Sequence, residues 1–340
     1  MSKETYKPDP ETEQQKATQL HPIAGDLADY QESLGDGSTT FRGLVTGFSE
    51  VDNLISGLDR FILLAGRSGA GKTTLASQLA LGVASHTPVL FYSLEMGKSE
   101  IMTMLVQTLA KGLYRNDIEL RGNDPELEPD KKAKLAEAIK ALEPLAKNIY
   151  IRDATGGIPR IADPKDGNSI LNAVESLKAK HNAERVLVVI DSVQDVVPMA
   201  SNQVQAEIQT VQELTEVQQK TGATILVIAQ KNKGSINSID SYGDVMGSMS
   251  FIHKPNTVIE IITAKELLAK SKDDGDRARE IEQVIEMDAK DGKSKPMYLN
   301  IIKGRYTGTS AIPLQYYGAY GYYEGGIATK YKSVYDLMSK

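Results

Sequence analysis

The sequence has no cysteine, no tryptophan and only four histidines, His21, His86, His181 and His253. Without thiols there is no disulfide, no Cys-ligated zinc, no iron–sulfur cluster and no thiol nucleophile. The histidines are spread too widely to suggest a zinc site. No run of eighteen apolar residues occurs, which excludes a helical membrane span. The opening stretch, MSKETYKPDP, lacks the apolar segment of a secretory signal. A cytoplasmic protein with no membrane partner is the expectation.

A strong excess of either charge is also missing. There are 39 basic and 45 acidic residues, a net charge of −6. Residues 1–40 hold three bases (Lys3, Lys7, Lys16) and eight acids, which leaves 36 and 37 for positions 41–340. The body is therefore close to neutral. It does not have the composition of a strongly basic nucleic-acid binder.

What is present is 340 residues, enough for one large α/β domain with a sizeable core. Residues 1–19 read as a polar, acidic, disordered leader. Leu20, Ile23, Leu27, Tyr30 and Leu34 then step by three and four, which predicts an amphipathic helix within 20–40. Its stripe must pack on its own domain or dock on a neighbouring subunit. From 41 onward, short apolar runs alternate with helical patterns. Strands are predicted at 61–65, 88–94, 149–153, 185–191, 224–230, 257–262, 297–302 and 311–315. Helices are predicted near 71–84, 97–111, 130–143, 168–181 and 203–220. Apolar strands separated by helices imply a buried, mainly parallel sheet. Residues 264–296 interrupt the rhythm as a charged, solvent-facing insert with a helix at 277–288. Residues 316–340 are rich in tyrosine and predict either a stacking surface or a terminal strand packed on protein.

The strongest signal follows the run FILLA. Gly66, Arg67, Ser68, Gly69, Ala70, Gly71, Lys72, Thr73 and Thr74 satisfy G-x-x-x-x-G-K-[ST] between a strand and a helix. The glycines let successive N–H groups aim at one anion, and the helix adds its positive end. Lys72 would reach the β- and γ-phosphates of ATP, and the Thr73 hydroxyl would hold Mg²⁺. RVLVVIDS places Asp191 at a strand tip, where a carboxylate holds the metal's water shell. Ser192 follows it, so the base that orients the attacking water must lie elsewhere. Glu95, at the end of a second strand, is the candidate; the competing reading is a carboxylate favouring a helix N-terminus. Gln230 ends a further strand, where its amide would sense the γ-phosphate.

These motifs carry a resemblance. TGFSEVDNLISGL (46–58), the phosphate loop, SLEM (93–96), LAEAIKALEPLAKNIYIRDATGG (135–157), VVIDSVQ (188–194), VIAQ (227–230) and GDVMGSMSFIHKPNTVIEI (243–261) together resemble RecA-like ATPases of the DnaB and RadA/Sms type. The resemblance spans about 41–315. It implies an α/β, RecA-like core with a mainly parallel twisted sheet flanked by helices, preceded by a linker helix that docks on the adjacent subunit. It implies Glu95 as catalytic base. It also implies that Lys303 and Arg305, in Lys-Gly-Arg before YTGTSAIPL, reach a neighbour's γ-phosphate. A bare core is expected, without the helical domain of DnaB or the zinc motif of RadA.

The implied function is a ring-forming ATP hydrolase, a hexamer in the family's manner, with 5′–3′ helicase activity on single-stranded DNA. A replication or recombination protein is the implied further partner. The channel loops give this mixed support. The first, 193–203, has no basic residue. The second, 231–248, offers Lys231, Lys233, Ser235, Gly247 and Ser248 as nucleic-acid contacts, but Val245 and Met246 stand where DnaB-type helicases tend to have an Arg-Glu pair. The alternative is an assembly or signalling ATPase of the same fold that recruits protein partners without unwinding DNA.

Overall fold

The computed structural model describes residues 23–32, 34, 41–231, 250–263, 266, 294–305, 308 and 310–326. Leu20, most of the 264–296 insert with its expected helix, and the leader 1–19 lie outside the described residues. The chain divides into two units, 1–40 and 41–340. In the first, a 3₁₀ turn, Ile23–Asp26, leads into a short helix, Leu27–Glu32. Ile23, Leu27, Tyr30 and Leu34 are all exposed.

The second unit is built on one nine-stranded sheet. Its strands in chain order are β1 (Phe61–Gly66), β2 (Val89–Ser93), β3 (Ile149–Asp153), β4 (Leu187–Asp191), β5 (Thr224–Gln230), β6 (Thr257–Thr263), β7 (Lys295–Gly304), β8 (Ala311–Tyr317) and β9 (Tyr322–Gly325). Across the sheet the order is β3-β2-β4-β5-β1-β6-β7-β8-β9. The first six are parallel. The last three join antiparallel.

Both faces of the parallel part are covered, which is why its strands read as unbroken apolar runs. The period of two divides each strand between two cores. Leu63, Val188, Ile190 and Val227 pack with the helices Ile170–His181 and Gln203–Thr221. Ile62, Leu64, Val189, Leu226 and Ile228 pack with Lys72–Val83 and Lys98–Ala110. Caps set the helix ends. The Asn202 side chain accepts from Gln205 N at 3.1 Å, and Gly222 ends that helix at φ +69°.

The TGFSEVD motif is a folding device. Buried Asp52 accepts from Thr46 N (2.9 Å), Thr46 Oγ1 (2.8 Å) and Gly47 N (3.1 Å), which closes the turn before the helix Ser49–Ile55. Short helices at Arg115–Glu119, Val193–Val196 and Ser250–His253 were not anticipated by periodicity, since each spans scarcely more than one turn. The sheet also runs on through β9, where Tyr322 and Tyr323 are buried. This part of the Tyr-rich segment is a packed strand; residues 327–340 lie outside the described residues.

Candidate functional site

The C-terminal ends of β1, β2, β4 and β5 converge on one edge of the sheet, the edge at which open α/β sheets bind ligands. A cavity of about 210 Å³ opens there. The phosphate loop supplies Ser68, Gly69, Gly71, Lys72, Thr73 and Thr74 to its wall. Gly66 ends β1, and Ala70 is buried beneath the loop. Gly71 has φ +81° immediately before the helix Lys72–Val83, a conformation that a side chain would strain. Asp191 from β4, Glu95 just past β2 and Gln230 from β5 complete the wall. Residues far apart in sequence thus meet in one small space.

Several polar groups within it are already paired. Thr73 Oγ1 donates to Asp191 Oδ2 at 2.6 Å, and Lys72 Nζ donates to Arg67 O at 2.9 Å. Burial pushes Asp191 up to about 6 and nearby Glu95 adds to this, while the Thr73 hydrogen bond and Lys72 oppose it. Burial likewise lowers Lys72, against the attraction of Asp191 and Glu95. A buried carboxylate with a raised affinity for protons is one that a cation would satisfy. Among the described residues no cluster of three or more His, Asp or Glu could hold a metal alone. One hydroxyl and one carboxylate fit Mg²⁺, which completes its shell with phosphate oxygens and water. These residues therefore suit an ion that arrives with a nucleotide.

Two tyrosines belong to this site although motif reading passed over them. Tyr316 lines the cavity and stacks on Tyr323, with centroids 4.5 Å apart. Tyr323 Oη donates to Ala70 O at 2.6 Å, anchoring the loop from below. Only the antiparallel extension β7–β9 brings them there, and no local pattern announces that pairing. Ser192 also lines the cavity; its hydroxyl donates to Asp195 Oδ2 at 2.6 Å.

Three further expected residues lie outside this cavity. Lys231 was expected to contact nucleic acid, but its ammonium is turned inward onto the carboxylate of fully buried Glu260. The period of two explains the difference: Lys231 continues the inward-facing row of Val227 and Ala229. The missed signal was Glu260 itself, a lone acid in the apolar run TVIEIIT. Lys303 Nζ donates to Ile252 O at 3.1 Å and to His253 O, at the end of the helix Ser250–His253. Arg305 is exposed. Both lie near the opposite edge of the sheet, because Gly304 pairs with Thr257, which pairs with Ile62 near the start of β1. Lys233, Ser235, Gly247 and Ser248 lie outside the described residues.

A larger cleft, about 810 Å³, lies between residues 158–163, residues 194–199 and the helix Gln203–Thr221. It contains none of the phosphate-site residues, and its Arg160 is paired with Asp163 at 2.8 Å. Chemistry therefore favours the smaller cavity.

Comparison with known proteins gives the family and the fold. Replicative DNA helicase DnaB of Haemophilus influenzae is 34% identical over 121 residues, 34% of this chain and 25% of that protein. The match thus spans only about a quarter of the relative's length. A solved structure of an isolated ATPase domain superposes with a TM-score of 0.70 at 20% identity, covering 91% of this chain and 100% of that one. A DnaB-like replicative helicase, studied for its interactions with primase, gives 0.68 at 19% identity, covering 93% of this chain and 70% of that one. These two likenesses establish the RecA-like fold. The family model of the DnaB-like helicase C-terminal domain matches residues 43–324, and by that match the chain belongs to this family.

Proposed function

We propose that this chain is the motor core of a ring-forming helicase, hydrolysing ATP between subunits to move along single-stranded DNA. The observation that carries the reading is the division of labour between the two sheet edges. Lys72, Thr73, Asp191, Glu95 and Gln230 share one cavity, whereas Lys303 and Arg305 lie near the other edge. The four register steps from Ile62 to Gly66 alone amount to about 13 Å along β1. Arg305 is thus poorly placed for its own phosphate site and well placed for a neighbour's.

In this reading Gly66, Ser68, Gly69, Ala70, Gly71 and Thr74 shape the phosphate cradle, with Lys72 on the β- and γ-phosphates. Thr73 and Asp191 hold Mg²⁺, which supplies charge neutralisation at the transferred phosphoryl group. Glu95 orients the attacking water. Lys303 and Arg305 stabilise charge from the neighbouring copy, with Arg305 the exposed member. Gln230 registers the γ-phosphate and passes its loss to the loop after β5. The exposed stripe Ile23, Leu27, Tyr30 and Leu34 docks on an adjacent subunit. Primase or another replication protein is the partner class.

A second reading, an ATPase that assembles or signals through protein partners, is favoured by one observation. Lys231 is committed to Glu260, so it is withdrawn from the DNA contacts that the loop offered. The ATPase rate with and without single-stranded DNA, across a salt series, separates the two. Translocation requires stimulation that fades as salt rises. ATP-dependent oligomerisation with no DNA response would favour the second reading and overturn the first.

A further inference from the structure

Gln230 and Lys231 are neighbours in the chain, but they face opposite ways. Gln230 is exposed and lines the phosphate cavity. Lys231 follows Val227 and Ala229 into the other face of the sheet. There it must cross β1 to reach Glu260 on β6, because β1 lies between β5 and β6. It crosses beside Ala65, which is in register with Glu260 and whose small side chain leaves room for the lysine stem. The lysine is 10% exposed and the glutamate 0%.

Such a pair is an unpromising source of stability. Removing both charges from water costs several kcal/mol per ion, and an apolar pair of similar volume often does as well or better. What an ion pair supplies that an apolar pair does not is a directional tether. Its location says what it holds. Lys231 N donates to Gly66 O, the first residue of the phosphate loop, at 3.1 Å. Gln194 Nε2, from the turn after β4, donates to Gln230 O at 3.3 Å. The Gln230–Lys231 step is therefore pinned from β1, from the β4 turn and, through Glu260, from β6. Asn300 Nδ2 on β7 donates to the second Glu260 oxygen at 3.4 Å, which steadies the carboxylate from the far side.

We propose that the Lys231–Glu260 ion pair is a positioning device that holds the Gln230 amide in register with the phosphate loop. Through it, a change at the phosphate is delivered to the residues that follow Lys231 and is not dissipated as local motion of the strand end. This inference rests on the reading of Gln230 as the phosphate-sensing residue. Lys231 and Glu260 are positioning residues, since neither lines the cavity.

The test uses the full chain and two double variants that remove both charges of the pair. Lys231→Met with Glu260→Leu removes the tether, and Lys231→Gln with Glu260→Gln keeps a neutral, weaker one. Steady-state ATPase is measured with and without single-stranded DNA, together with thermal melting. The apolar pair should melt within a few degrees of the parent and keep KM within about threefold, while DNA-stimulated kcat falls about tenfold, the scale of a small misplacement of a catalytic group. The Gln–Gln pair should lose less. Parent-level kcat in whichever double variant folds overturns the proposal, as does a change confined to KM or melting temperature. Gln230→Ala distinguishes the two levels. If it leaves turnover intact, the phosphate-sensing reading fails and takes the tether with it. If it abolishes turnover while the double variants stay fully active, only the tether fails.

Discussion

Thr73 and Asp191 stand 118 positions apart in sequence, yet the threonine hydroxyl donates to the carboxylate over 2.6 Å. That hydrogen bond joins the phosphate loop to the end of β4. If the two oxygens hold a cation as proposed, they must exchange their mutual contact for it when a nucleotide arrives.

Asp191 makes stability depend on pH in an unusual direction. Burial pushes it up to about 6 from the usual 3.8, so the folded, ligand-free chain binds this proton more tightly than the unfolded chain does. Its contribution is therefore most favourable below the unfolded value, declines as pH rises between the two, and is a constant penalty above about 6. We expect Asp191→Asn to be more stable than the parent near pH 7.5, by no more than about 3 kcal/mol, and so to melt higher, with the gain disappearing toward pH 4. Melting curves across that range, without nucleotide, check it. A variant that melts lower than the parent at pH 7.5 would show that burial is not the dominant influence.

Glu95→Gln keeps the size of the side chain and removes its basicity. Turnover should fall about 10²- to 10⁴-fold, the usual worth of a positioned base, with nucleotide affinity little changed. Single-turnover hydrolysis alongside equilibrium binding gives both numbers. Equal loss in each would assign Glu95 to binding and to the helix N-terminus.

Arg305→Ala should lower kcat about 10³-fold or more while ATP still binds. The sharper measurement mixes it with Lys72→Ala. Each variant alone should be inactive, but in mixed assemblies an intact phosphate loop can face an intact Arg305. Activity should therefore reappear on mixing; two inactive proteins that stay inactive, despite demonstrated co-assembly, would place Arg305 in its own site.

Gly71→Ala should abolish nucleotide binding. A Cβ there would come within 2.5 Å of Tyr323 Oη and 2.8 Å of Tyr316 Cζ, in a backbone already at φ +81°. Binding of a fluorescent ATP analogue to the folded variant tests this. Tyr323→Phe is the milder partner: it loses only the 2.6 Å bond to Ala70 O and should weaken binding by about 1 kcal/mol.

The parallel half of the fold was legible because each of its strands is a short apolar run, several of them ending at a chemically distinctive residue: Gly66, Asp191 or Gln230. Glu95 was legible by the same logic, just beyond its strand. What escaped notice depends on sheet order, which local periodicity does not encode. Nothing near Tyr323 says that it will lie under Ala70, 253 positions earlier. Lys231 was assigned to a surface loop because it follows a strand end. Its partner is fixed only once β6 is known to lie one strand beyond β1.

The placement of Lys303 and Arg305 near one edge of the sheet, with the phosphate cavity at the other, has a geometric consequence for assembly. A two-fold pair brings the same face of both molecules together, so two opposite edges cannot be satisfied through one such contact. Copies that complete one another's sites must stack front to back. A row of n copies joined in this way holds n − 1 complete sites, with one unanswered cavity and one unanswered arginine at its ends. If Arg305 completes a neighbour's site as proposed, only closure of the row on itself supplies the last site, and the free energy of the final contact then also decides whether every copy can turn over.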